Sequence, residues 1–250
     1  MIKIIPSVKQ MNFNIVQIGV GGNGSYTLQF LTQLISTMES SDYMHITIAD
    51  PDVVEKKNLK NQYFMQGDVG KSKAQALAQR YSSVYGVQIG MLNEFTKQYV
   101  QTIDDIGQLF DCHANFNNEL PTSNILISCV DNMYSRTVFN KYFTQAANLI
   151  YIDVGNDAIE YGGYDKSREN SESGWSGQVV VGVKMDGELI TKPFAGYFAE
   201  QMSTDDNPGD ASCQQAISSN PQRIYTNRLS ATVVNGVLNG VLGSGVLQNM

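Results

Sequence analysis

Apolar segments alternate with amphipathic segments along the first 155 residues of the chain. The mostly apolar runs predict strands near residues 13–20, 45–50, 87–91, 124–129 and 149–154. The helical spacing between them predicts helices near residues 23–37, 71–85 and 132–147. Because strands alternate with helices, we expect an α/β fold, with a Rossmann-like, mostly parallel sheet that carries helices on both faces.

The pattern changes after residue 155. Residues 159–163 and 177–184 are predicted to be strands of an antiparallel C-terminal extension, and residues 223–243 are predicted to form a closing helix. The apolar face of that helix suits either the core or a subunit interface. Between them, residues 201–222 are rich in Ser, Asp, Asn, Pro and Gln, which indicates a mobile loop. We interpret residues 1–155 and 156–250 as two parts of one domain.

A glycine-rich turn follows the first predicted strand and precedes the first predicted helix. It reads Gly19-Val20-Gly21-Gly22-Asn23-Gly24. Backbone without side chains can approach a phosphate closely, and a helix N-terminus offers N–H groups to an anion. Asp50 and Asp52 follow the next strand, where a ribose hydroxyl needs an acceptor. These features indicate a nucleotide, with NAD, FAD and ATP all open; a tight connection without a ligand is the alternative.

A second glycine precedes the predicted helix at residues 71–85, in the run Gly70-Lys71-Ser72-Lys73. It is not a P-loop, because Met65 stands where that motif has its first glycine. A lysine at a helix start beside a glycine still suits a phosphate contact. The alternative is a solvated helix start.

Composition excludes several classes of protein. The net charge is −7 and there is no basic block, which argues against a nucleic-acid partner. No run of about 18 apolar residues predicts a membrane span, and residues 1–6 do not resemble a signal peptide. The three cysteines, Cys112, Cys129 and Cys213, are far apart, so we expect no zinc site and a reducing, cytoplasmic location.

Further motifs follow the glycine-rich turn along the chain. Asp50 and Asp52 lead to Asn58-Leu59-Lys60-Asn61-Gln62, then to Gly70 and Lys73, and later to Asp131-Asn132. In order and spacing these motifs resemble the ThiF/MoeB/HesA family, which is related to the ubiquitin-activating enzymes. The resemblance covers residues 13–155 well and the rest loosely.

The resemblance implies an ATP-binding adenylyltransferase that attaches AMP to the C-terminal carboxylate of a ubiquitin-like or sulfur-carrier protein. It implies that Asp50 accepts from the ribose hydroxyls, that Asp131 holds Mg²⁺, and that residues 1–155 are the ATP-binding half. The remaining nucleotide contacts, mostly to the phosphates, are implied for Gly19, Gly21, Gly22, Gly24, Asp52, Asn58, Gln62 and Lys73. Lys73 and Asp131 would serve catalysis. For Asp131 alone, capping of the following helix is the alternative.

The chain departs from the family pattern at three places. The family usually has arginine where Asn61 stands, and lysine at the adjacent Lys60 is not its equivalent. Residues 1–12 contain no arginine to reach a partner subunit's site, and the paired zinc cysteines of many members are absent. Arg80, Arg136 and Arg223 are candidate replacements. A relative that binds nucleotide without catalysis is therefore a second hypothesis, and an NAD-dependent enzyme is a third.

Cys213 lies in the polar loop at residues 201–222. Many relatives carry a cysteine in the corresponding loop that takes the activated protein as a thioester. A nucleophilic cysteine needs access and a stabilised thiolate, and the nearest basic residue is Arg223. A cysteine that packs beneath the loop is the alternative. The resemblance also implies a homodimer.

Overall fold

A single seven-stranded sheet organises the computed structural model, which describes residues 1–112, 119–160, 171–202 and 222–248. In chain order the strands are β1 (Ile2–Lys3), β2 (Asn12–Ile18), β3 (Met44–Ala49), β4 (Ile89–Gly90), β5 (Thr122–Ser128), β6 (Leu149–Asn156), β7 (Gly177–Met185), β8 (Glu188–Thr191) and β9 (Val246–Leu247). The helices are α1 (Gly22–Ser36), α2 (Lys73–Tyr85), α3 (Ile103–Asp111), α4 (Met133–Gln145), α5 (Phe194–Tyr197) and α6 (Ile224–Ser244).

The sheet order is β4-β3-β2-β5-β6-β7-β8. The strands from β4 to β6 pair in parallel, whereas β7 pairs antiparallel with both β6 and β8. This confirms the expected α/β fold with an antiparallel extension. The direction in which the chain adds strands reverses at β2: β3 and β4 lie on one side of it, and β5 and β6 lie on the other. In open parallel sheets, ligands bind beyond the carboxyl ends of the strands at such a reversal.

Helices cover both faces of the sheet. Strand β2 is buried at every position, with Phe13 and Ile15 in one apolar cluster and Val16 in the other. The first cluster includes side chains of α1, α2 and α6, and the second includes side chains of α3 and α4. The apolar face of α6 therefore closes the core of its own chain.

Most predicted elements are present, with ends displaced by a few residues. The short helix α3 is an element that the sequence interpretation missed. It begins with a capping box, in which Asp105 N donates to Thr102 Oγ1 at 3.2 Å. Its buried residues Ile106, Leu109 and Phe110 have helical spacing, so the signal was present but short. Strands β1, β8 and β9 and helix α5 were also missed, because each has four residues or fewer.

The strand predicted at 159–163 is wrong for the part that the structure describes. Ile159 and Glu160 form no ladder. Instead Glu160 N donates to Ser173 Oγ at 2.8 Å, and Asp157 N donates to Ser176 O at 2.9 Å. These contacts satisfy the backbone N–H groups of Asp157 and Glu160 without a partner strand.

Most of the predicted loop, including Cys213, lies outside the described residues. Gln201, Met202 and Gln222 flank that part. None of the helices in the described ranges is both long and apolar enough to cross a membrane.

Candidate functional site

The glycine turn depends on two glycines that bring backbone into close contact. Gly19 has a φ of +89°, and a Cβ there would lie 2.6 Å from Cys129 O. A Cβ on Gly24 would lie 2.2 Å from Gly19 O. Both positions are therefore closed to larger residues, and the start of α1 packs directly against the ends of β2 and β5.

Two polar side chains hold this turn in place. Gln17 is fully buried on β2, and its Nε2 donates to Gly19 O at 3.0 Å and to Gly24 O at 2.9 Å. Asp50 Oδ2 accepts from Val20 N at 2.7 Å. The first N–H groups of a helix have no partner within the helix, and Gly21, Gly22 and Asn23 at this end of α1 line a large cavity.

Asp50 and Asp52 differ in exposure and in partners. Asp50 is buried, and its second oxygen Oδ1 accepts from Asp52 N at 2.9 Å. Burial raises the pKa of Asp50 to about 6, although Lys73 opposes this. The side chain of Asp52 is 50% exposed and faces the cavity. Asp50 thus supports the turn, while Asp52 is the more accessible carboxylate.

Lys73 lies at the start of α2, opposite Asp52. Its backbone N donates to Asp52 O at 2.9 Å, and its Nζ lies 2.7 Å from Asp52 Oδ2. The lysine side chain is only 7% exposed, which contradicts a solvated helix start. Burial by itself would lower the pKa of Lys73, but Asp50, Asp52 and the more distant Asp131 raise it above the ordinary value. The ammonium group is therefore held charged inside the cavity.

Asp131 follows β5 and is exposed to the same cavity. It does not cap the next helix, because Asn132 does so: Asn132 Oδ1 accepts from Ser135 N at 2.8 Å. Tyr99 lies nearby, and burial followed by the charges of Asp52, Asp131 and Asp50 raises its pKa to about 12. The carboxylate of Asp131 therefore does not cap the helix, which was the alternative role for this residue.

The carboxylate of Asp131 suits Mg²⁺ only if phosphate oxygens supply further ligands. Among the described residues, no three or more His, Cys, Asp or Glu side chains gather as a metal site. Mg²⁺ is commonly held by one or two carboxylates together with substrate phosphates and water. A single exposed carboxylate at Asp131, in the cavity that also holds Lys73, fits that arrangement.

The Asn58–Gln62 segment approaches the glycine turn from the side. Asn58 is buried, and its Oδ1 accepts from Glu55 N at 2.7 Å, which fixes the 3₁₀ turn at Lys56–Lys60. Gln62 Oε1 is buried beside Gly21 and has no hydrogen-bond partner among the described residues. A buried amide oxygen without a partner is costly, and a bound ligand or an amide rotated toward a ligand would remove that cost.

One cavity of about 1770 Å³ collects these residues. The predicted residues that line it are Gly19, Gly21, Gly22, Asp50, Asp52, Asn58, Gln62, Lys73 and Asp131. Gly24 is not part of the lining, and Cys213 is outside the described residues. The sequence interpretation missed other lining residues, notably Lys57, Lys97, Gln178 and Gln222. They are isolated in the sequence and carry no motif.

The three candidate arginines all have structural partners. Arg80 is paired with Asp68 and does not line the cavity. Arg136 is buried; its Nε lies 3.1 Å from Asp153 Oδ1, and its Nη2 donates to Val130 O and Val154 O. Arg136 and Arg223 both line the cavity.

Arg223 stacks on an aromatic side chain. Its guanidinium carbon lies 4.4 Å from the ring centre of Trp175, and its Nε donates to Ser173 O at 2.8 Å. The indole is 51% exposed and lies 6.0 Å from the ring of Tyr225. This forms a second, aromatic and cationic part of the cavity.

Comparisons with known proteins place this geometry in context. The sequence model of the ThiF family matches residues 8–248. No curated protein has a detectable sequence match. Among solved structures, selenomethionine PaaA is 14% identical with a TM-score of 0.57, and covers 97% of this chain and 58% of its own.

Two structures of E. coli MccB are similar in the same way. MccB with AMPCPP and selenomethionine MccA is 16% identical with a TM-score of 0.58, covering 96% of this chain and 58% of its own. MccB with ATP is 17% identical with a TM-score of 0.57, covering 96% and 59%. The chain therefore spans less than three fifths of the length of these structures, which share its fold.

Proposed function

The chain belongs to the ThiF family, and from this we propose that it binds ATP in the cavity and transfers AMP to a carboxylate of a peptide or small protein. MccB, one of the similar structures, is described as a biosynthetic enzyme of microcin C7 and was solved with ATP and with MccA. For this chain we therefore expect a nucleotide site beside a site for a peptide or protein.

The observation that carries the proposal is the grouping of opposite charges beyond the carboxyl ends of β2, β3 and β5. The buried ammonium of Lys73 faces the carboxylates of Asp50 and Asp52, and Asp131 and the N-terminus of α1 border the same cavity. Attack of a carboxylate on a phosphate brings like charges together. Catalysis then depends mainly on positioning and on neutralising charge.

We assign roles within this group as follows. The backbone of Gly21 and Gly22 at the start of α1 approaches the phosphates. Lys73 attracts the phosphates, and Asp52 or Asp50 accepts from the ribose hydroxyls. Asp131 holds Mg²⁺, which when bound neutralises phosphate charge. Gln62 and Asn58 border the phosphates from the side.

The reaction exchanges one bond to phosphorus for another. A carboxylate oxygen of the acceptor bonds to the α-phosphorus, and the bond from that phosphorus to the bridging oxygen of pyrophosphate breaks. The products are an acyl-adenylate and pyrophosphate. This chain's contribution is to keep the Lys73 ammonium charged beside the reacting phosphate and to hold the two substrates together.

The acceptor belongs in the second part of the cavity. A cavity of about 1770 Å³ is larger than the 300–1,000 Å³ or so that is usual for a small ligand. Trp175, Tyr225 and Arg223 offer aromatic surface and positive charge, which suit the end of a peptide chain. A ubiquitin-like or sulfur-carrier protein is the acceptor that the family resemblance favours. We also propose a homodimer, on the same resemblance.

ATP binding and ATP–pyrophosphate exchange test this proposal. Calorimetry with ATP should show binding, and exchange should appear when a candidate carrier protein or peptide is added. Asp131→Ala should abolish exchange, whereas Asp104→Ala, an exposed acid on α3 outside the cavity, should not. Binding of NAD in place of ATP would overturn the proposal. Cys213→Ala should leave exchange intact, because a thioester would form only after adenylation.

A second candidate function is nucleotide binding without transfer. It is favoured by one observation: Asn61, at the position of the family's arginine, donates from Nδ2 to Gln222 O at 3.3 Å. Its side chain is thus engaged with the protein. Tight ATP binding with no acyl-adenylate detectable by mass spectrometry for any carrier would support this function over the first.

A further inference from the structure

Gln222 lies against the start of α1, beside the glycine turn. A Cβ on Gly22 would meet Gln222 Oε1 at 2.4 Å, so the carboxamide packs directly over that glycine. Gln222 also lines the cavity. A carboxamide offers two N–H donors and one acceptor oxygen. Among the described residues, its Nε2 donates one long hydrogen bond, to Asn156 O at 3.5 Å.

A partly buried network of hydrogen bonds holds the main chain of Gln222 in place. Asn61 Nδ2 donates to Gln222 O at 3.3 Å, and Asn227 Nδ2 donates to Asn61 O at 3.0 Å. Asn227 is fully buried, and its Oδ1 accepts from Asn156 Nδ2 at 2.9 Å. Asn156 Oδ1 in turn accepts from Ser230 Oγ at 2.5 Å. The end of β6, the start of α6 and the Asn58–Gln62 segment are thereby joined at one point.

The network shows what Asn61 does in place of an arginine. Its short side chain turns to the main chain of Gln222. The neutral side chain of Gln222 therefore lies beside the backbone of Gly22, which would bind phosphate. The carboxamide is close to the first N–H groups of α1, which favour an anion.

We propose that Gln222 binds the nucleotide phosphates directly and that Asn61 and Asn227 are positioning residues for it. The inference rests on the proposed function, because it requires a nucleotide in this cavity. It assigns to Asn61 a role different from that of the arginine it replaces. A neutral hydrogen bond contributes less than a charged one, so ATP affinity should respond modestly to removal of Gln222.

Calorimetry with ATP and with adenosine tests the inference. Gln222→Ala should weaken ATP binding about 2- to 10-fold, the range for one neutral hydrogen bond, and should leave adenosine binding unchanged. Gln222→Glu keeps the shape and adds a negative charge, so it should weaken ATP binding about tenfold or more without affecting adenosine. Asn61→Ala should have the same selectivity as Gln222→Ala.

Gln33→Ala is the matched control. Gln33 is an exposed glutamine on α1 whose Oε1 accepts from Gln29 Nε2 at 3.3 Å, away from the cavity. It should leave both affinities unchanged. Thermal unfolding without nucleotide establishes that each variant is folded. If Gln222→Ala does not fold, Gln222→Glu provides the test in its place.

The outcomes separate the two proposals. If the wild type binds ATP but Gln222→Ala binds it equally well or more tightly, the carboxamide does not contact phosphate, and only this inference fails. If the wild type binds neither ATP nor adenosine, the proposed function fails with it. Equal losses for ATP and adenosine would also overturn the inference, because they would mean that Gln222 acts only on the shape of the cavity.

Discussion

The Nζ atom of Lys73 lies 2.7 Å from Oδ2 of Asp52, in a pair whose lysine is buried and whose aspartate is half exposed. The pair forms because residues 52–54 and 70–73 are joined by backbone hydrogen bonds, including Val54 N to Lys71 O at 2.8 Å. A charged donor is thus placed in the cavity before any ligand arrives.

Lys73→Met should weaken ATP binding about tenfold or more, because a hydrogen bond to a charged group is worth roughly 1.5–3 kcal/mol. Lys71→Met is the matched control: Lys71 is exposed, two residues away, and does not line the cavity. Calorimetry on both variants checks this. An affinity for ATP that is equal in the two variants would contradict a phosphate contact for Lys73.

Gly24→Ala should destabilise the protein by about 3 kcal/mol, because the new Cβ would meet the carbonyl of Gly19 at 2.2 Å and backbone cannot move aside cheaply. Gly107→Ala on α3 is the control, since a Cβ there meets nothing within 4 Å. It should stabilise the protein by about 0.5–1 kcal/mol. Urea unfolding measures both. A tolerated Gly24→Ala would refute the close packing of α1 on the turn.

Arg136→Met should cost about 3–5 kcal/mol, since it leaves the fully buried carboxylate of Asp153 without its cation. Asp153→Leu should cost a similar amount. The double variant should lose less than the sum, because neither charge is then buried alone. A double-mutant cycle from urea unfolding checks this coupling. Strictly additive losses would show that the pair does not act as a unit.

Asp50 should make stability depend on pH in the acid range. Its pKa is about 6 in the folded protein and near 3.8 when unfolded, so the folded state binds the proton more tightly. The resulting stability, about 3 kcal/mol, is present below about pH 3.8 and is lost as the pH rises through about 6. The difference in unfolding free energy between wild type and Asp50→Asn should fall by about this amount from pH 4 to pH 7.

Urea titrations of both proteins at several pH values measure that difference. Because groups remote from Asp50 titrate identically in the two proteins, their contributions cancel to first order. The burial of Asp153 raises the pKa of that carboxyl as well, and it is common to both. A difference that stays constant between pH 4 and pH 7 would show that Asp50 has an ordinary pKa.

Particular elements show which sequence signals were sufficient. Strand β5 was predicted well, because a strand buried on both faces is a nearly continuous apolar run. Helix α3 was missed despite its capping box, because nine residues give little periodicity. The strand predicted from Ile159 is wrong over its two described residues, because Ile159 packs beside Gly174 and Glu160 N donates to Ser173 Oγ.

The site shows the same division. The sequence predicted site roles for Lys73, Asp52 and Asp131, since each follows a strand or begins a helix within a motif, and the three residues line one cavity. It did not distinguish the supporting role of Asp50 from the exposed position of Asp52, because that depends on the hydrogen bond from Val20. It also left open whether Asp131 caps the following helix, a role that the neighbouring Asn132 takes.

By itself, the sequence determined the alternation of strands and helices, the glycine turn and the polar positions beyond the strand ends. These are local properties, set by side-chain periodicity and by the backbone freedom of glycine. The tertiary structure decided which side chains meet. Asn61 and Gln222 are 161 residues apart, and Trp175 and Arg223 come together only because β7 and α6 flank the same cavity. Such contacts depend on the order of strands in the sheet, which no local pattern encodes.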